Sequence, residues 1–126
     1  MVEGVQQAVR GGAVGLHAHG EDDGIGFRYE VPDQPNMHGA NIAEELTEFS
    51  FAEDATAWWK VAFQWNREEY LYNRTPLSAV GTADTPMTIK LASGAHVAVH
   101  EAALVDFSGM TLRHTTGNDF QATLTP

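Results

Sequence analysis

The strongest constraint on this chain is the two-residue alternation of apolar side chains over residues 86–110, PMTIKLASGAHVAVHEAALVDFSGM. Ile89 and Leu91 alternate with Thr88 and Lys90, and Val97 and Val99 alternate with His96, Ala98 and His100. A period of two places one set of side chains on a single strand face, which a helix cannot do. Ala92, Ser93 and Gly94 separate the two runs, and Gly94 can take the positive φ that a tight turn needs. The stretch is therefore predicted to be a β-hairpin. Its second strand ends at Glu101, followed by an apolar run over 102–105 and then Asp106. A carboxylate where a strand leaves its sheet either faces a cleft or is simply solvated, and the spacing alone leaves both readings open.

The same period recurs along the chain. Residues 13–19 read as a first strand, and His17 and His19 share one of its faces. No further ligands are identifiable around them, so a metal site there is not expected. After the acidic turn GEDDG, Ile25, Phe27 and Tyr29 alternate with Gly26, Arg28 and Glu30 in a strand closed by Val31 and Pro32. Residues 42–51 begin with helix formers, but Thr47, Phe49 and Phe51 alternate and favour a strand. Trp58 and Trp59 are adjacent, and Val61, Phe63 and Trp65 follow at strand spacing. Neighbours on a strand point to opposite faces, so at most one of the two tryptophans can be core. The other is exposed, covered by a partner, or lining a site. Tyr70 and Tyr72 stand two apart before a turn at Pro76, where they could pair across strands or meet a ligand. Short strands over 111–113 and 120–124 flank the turn TTGND.

About eight or nine strands and no confident helix predict an all-β, antiparallel β-sandwich. Residues 1–12 read as a poorly specified leader and 13–126 as one domain, a natural count for 126 residues. The predicted core lies on the faces holding Phe27 and Tyr29, Phe49 and Phe51, Ile89 and Leu91, and Val97 and Val99.

Composition narrows the function classes. Seventeen acidic against seven basic residues give a net charge of −10, which repels phosphate backbones and excludes nucleic acid as an expected partner. With no cysteine there is no thiolate metal site and no cysteine nucleophile, and the compartment stays undecided. No apolar run reaches the roughly 18 residues of a membrane-spanning helix, so no membrane partner is expected. The start, MVEGVQQAVRGGAVGL, lacks the cationic then apolar order of a signal peptide. Neither a P-loop nor a dinucleotide fingerprint is present.

DDGIGFRYEVP, ELTEF with the tryptophan-rich run after it, EYLYNRTPLS and TPMTIKLASGAHVAVHEAALVDFSGMTL, in that order, resemble the N-terminal part of glycoside hydrolase family 97. The resemblance implies an N-terminal β-sandwich that packs on a catalytic (β/α)₈ barrel and supports or completes an α-glucosidase or α-galactosidase active site. It implies that Glu101 is the sandwich's carboxylate ligand to an active-site calcium. It also implies a periplasmic or secreted bacterial setting. A chain of this length holds no barrel, and the paired carboxylates of glycoside hydrolysis need one to fix their separation. No catalytic residue is therefore expected here. One Glu with Asp106 nearby makes an incomplete calcium site, since calcium takes about six to eight oxygens. Trp58, Trp59 and Tyr70 are the candidate carbohydrate contacts, and α-glycosides or a separate catalytic domain are the candidate partners. The alternative is a stand-alone binding or structural domain without sugar chemistry. Uncovered sheet edges and the aromatic surplus around Trp58 predict a homodimer.

Overall fold

The computed structural model describes residues 14–20, 22–35, 42–64 and 69–125. The expected leader over 1–12 lies outside these residues, as does Trp65. Among the described residues are nine strands: β1 Gly15–Gly20, β2 Ile25–Glu30, β3 Glu48–Ser50, β4 Thr56–Val61, β5 Asn73–Pro76, β6 Thr82–Lys90, β7 His96–Val99, β8 Met110–His114 and β9 Asp119–Leu124. All their pairings are antiparallel. The one helical piece is a 3₁₀ turn, Leu77–Ala79. The fold is all-β and of the sandwich class, as the alternation predicts.

The strands fall into two compact units. In the smaller one, β1 and β2 form a two-stranded ladder with Ala18 opposite Phe27 and Leu16 opposite Tyr29. The larger one begins at Glu44 and holds a seven-stranded sheet in the order β3-β9-β8-β6-β4-β5, with β7 also paired to β6.

β6 organises that sheet. One of its edges pairs with β4. The other is shared, Thr82, Ala83 and Asp84 pairing with β8 and Met87 through Lys90 with β7. Pro86 has no N–H to donate, and it sits between these two ladders, where no partner requires one. The strand thus runs through the proline instead of starting at it. The β6–β7 turn matches expectation: Gly94 has φ +90°, and its N–H bonds the Leu91 carbonyl at 2.9 Å.

The core of the larger unit is the inward face of these strands. Ala57 and Trp59 from β4, Ala83, Met87 and Ile89 from β6, Leu112 from β8 and Phe120 from β9 are all buried. Leu77 and Val80, around the 3₁₀ turn, complete the cluster, and Phe49, Phe51, Leu91 and Val99 pack against it. Three of the four expected core pairs therefore contribute to the core. The fourth does not: Phe27 and Tyr29 are only half-buried and stack edge to face at 6.1 Å within the smaller unit. A two-stranded ladder has too little surface to enclose a side chain on its own.

The tryptophan region holds a second correction. β4 ends at Val61, and Val61 and Phe63 are exposed while Ala62 is buried. The pairing of β4 with β6 slips between Trp58 and Lys60, and Phe63 has φ +63°. An irregularity of this kind shifts which residues face inward, so the expected alternation through Phe63 breaks.

Candidate functional site

Glu101 follows β7 by two residues, at the start of a loop that returns to β8 at Met110. The side chain is half-buried, and its carboxylate is engaged: Oε1 accepts the Met110 N–H, and Oε2 lies 3.4 Å from the Thr85 hydroxyl. That hydroxyl is also 3.1 Å from the Met110 carbonyl, so Thr85 bridges the two ends of the loop. At the far end Ser108 donates its hydroxyl to the Thr125 carbonyl, and the Thr125 N–H bonds the Gly109 carbonyl at 2.8 Å. A Cβ on Gly109 would stand 3.3 Å from the Thr125 hydroxyl, a close approach that favours glycine. Between these fastenings Leu104, Val105 and Phe107 face solvent, Val105 at 80% exposure.

Calcium fits this chain only in part. Among the described residues no group of three or more His, Cys, Asp or Glu could hold a metal ion. A calcium ion takes about six to eight oxygens, and Glu101 contributes at most two. Asp106, with φ +51°, lies in the same loop and is exposed. On β1, His17 pairs with Glu30 at 3.0 Å.

The three aromatic candidates occupy different surroundings. Trp59 is 8% exposed, sits in the core, and donates its indole N–H to the Thr75 hydroxyl at 3.0 Å. Trp58 points the opposite way and is half-buried, with the Arg74 guanidinium 5.5 Å from its ring and His96 at 6.3 Å. Tyr70 precedes β5 and donates its hydroxyl to Gln64 at 3.2 Å. It lines a shallow groove of about 400 Å³ with Val61, Glu69, Leu71 and Asn73, and neither tryptophan reaches that groove. The structure therefore puts the three candidate carbohydrate contacts in separate surroundings. Arg74, Lys90 and His96 carry no motif, and only the pairing register brings them to the Trp58 face.

The chain can be placed against known proteins. The family model described as glycosyl-hydrolase 97 N-terminal matches residues 5–125. Among solved structures, a glycoside hydrolase family 97 enzyme from Pseudoalteromonas sp. strain K8 in complex with acarbose is 45% identical with a TM-score of 0.86. A variant of a family 97 enzyme from the same organism is 44% identical with a TM-score of 0.86. A further variant, in complex with panose, is 45% identical with a TM-score of 0.85. Each match covers 96% of this chain and 19% of the other, so the chain spans about a fifth of the enzymes it resembles. A family model that covers nearly every residue, and structural matches at this identity, lead to one conclusion: the chain belongs to the glycosyl-hydrolase 97 N-terminal family.

Proposed function

We propose that this chain is a non-catalytic β-domain that supports the active site of an α-glycoside hydrolase, with the catalytic groups supplied by a barrel outside these 126 residues. The family match over residues 5–125 carries this reading. Two features of the site support it. Glu101 is held at the mouth of a braced loop, so it can contribute one carboxylate to a calcium site completed by the barrel. The exposed apolar side chains of the same loop, Leu104, Val105 and Phe107, offer a surface for that barrel to cover.

The test is complementation. A barrel expressed from a family 97 enzyme is assayed on p-nitrophenyl α-glucoside and α-galactoside, alone and with this chain added. Hydrolysis is expected only from the mixture, and Glu101→Gln should lower it by about tenfold or more, the scale on which disturbed metal sites lose activity. The chain alone should show no turnover, and calorimetry should show no calcium binding tighter than millimolar, because too few oxygens are present. Turnover by the chain alone, or micromolar calcium affinity lost in Glu101→Gln, would overturn the division of labour.

A further inference from the structure

The outward face of β5-β4-β6-β7 has a charge opposite to that of the whole chain. Trp58 stands directly across from Arg74 on one side and Thr88 on the other, and Thr88 stands across from Ala98. One row along, Thr56 stands across from Pro76 and Lys90, and Lys90 across from His96. Residues directly opposite in antiparallel strands project to the same face, so these two rows form one surface. Neither row contains an acidic residue, on a chain that carries seventeen.

The nearby acids are held by neutral donors. Asp54 accepts from the Ser78 hydroxyl at 3.2 Å and from its N–H at 3.3 Å, and Glu53 accepts the Ala92 N–H at 2.7 Å. Farther along β6, Asp84 is matched by Lys60 at 4.0 Å. Among the described residues no carboxylate lies within ion-pair distance of Arg74 or Lys90. Both cations line one open groove of about 580 Å³, and Asp54, held by Ser78, is the one carboxylate among its described lining residues. The Trp58 ring holds the Arg74 guanidinium in place by a cation–π contact, which lowers the entropy lost when that guanidinium meets an anion.

We propose that this face binds an acidic polypeptide segment in extended conformation. The two cationic side chains come from β5 and β6, with β4 between them, so they stand about 10 Å apart at the usual strand spacing, beyond the reach of one small anion. An extended peptide places same-side carboxylates about 6.8 Å apart, which lets neighbouring acids reach the two long cationic side chains in turn. The chain's overall −10 disfavours the denser charge of nucleic acid, while at physiological salt repulsion is screened beyond about 8 Å and the local face dominates. This surface shares no residue with the Glu101 loop, and the proposal stands without the sugar chemistry above.

Fluorescein-labelled hexaglutamate, titrated into the full chain and followed by anisotropy, tests it. Saturable binding is expected at about 20 mM salt, weakening about tenfold at about 200 mM as the charges are screened. Arg74→Gln with Lys90→Gln should abolish binding while leaving the circular dichroism unchanged. Lys90→Gln alone, at an exposed position, should weaken it severalfold. No binding of hexaglutamate, or equal binding to the double variant, would overturn the proposal. So would displacement by equimolar sulfate, which assigns a small-anion site, or a dimer that the double variant dissolves, which assigns the face to a second copy.

Discussion

The two units of this protein are built from the same two-residue alternation, yet among the described residues only the larger one holds buried side chains. In the seven-stranded unit, Ile89 on β6 is flanked by Ala57 on β4 and Val97 on β7, and it is fully buried. In the two-stranded unit, Phe27 on β2 stands across from Ala18 and stays half-buried. The alternation in Ile25, Phe27 and Tyr29 is as regular as that in Ile89 and Leu91. The difference teaches that alternation specifies a strand with a preferred face, while burial depends on how many ladders that strand joins.

Single substitutions can break the comparison. Phe120→Ala removes a fully buried ring from β9 and should cost about 3–5 kcal/mol in a chemical melt, whereas Phe27→Ala should cost about 1 kcal/mol. Equal losses would mean that the smaller unit has a core of its own. A smaller effect sharpens the role of the loop brace. Glu101→Ala strips the acceptor from the Met110 N–H where β8 begins, and should cost about 2 kcal/mol in the same melt. Glu101→Gln keeps a carbonyl acceptor and should cost about 1 kcal/mol or less, which separates the brace from any metal role. The least effect is expected at the His17–Glu30 pair on the β1–β2 ladder. Both side chains are largely exposed, so His17→Ala should change stability by no more than about 0.5 kcal/mol. A larger loss would show that the small ladder depends on its polar pairs.

Much of the candidate site was legible before any pairing was known. The place of Glu101 at the end of a strand followed from the alternation of Val97 and Val99. The opposed orientations of Trp58 and Trp59 followed from their adjacency. Gly94 was legible as a turn because two strand patterns meet around it. The separate setting of Tyr70 was not, because strand spacing orders side chains along one strand and does not say which strands lie side by side. The slip between Trp58 and Lys60 carries no composition signal either. It left Ala62 buried and Phe63 exposed, against the hydrophobicity of the two residues.

What the sequence by itself determined was local: the strand class, the turns at glycine, the opposed tryptophans and the family to which the chain belongs. These rest on backbone preferences and side-chain periodicity, which act over a few neighbouring residues. Only the tertiary structure decided which strands meet. It let β6 run through Pro86 by dividing one edge between β7 and β8, and it set Arg74, Lys90 and His96 around Trp58 from three separate strands. It also closed the Glu101 carboxylate onto the Met110 N–H across nine residues of loop. Pairing register is a long-range choice, made by burying one face of a sheet at the expense of the other, and no local window contains both partners.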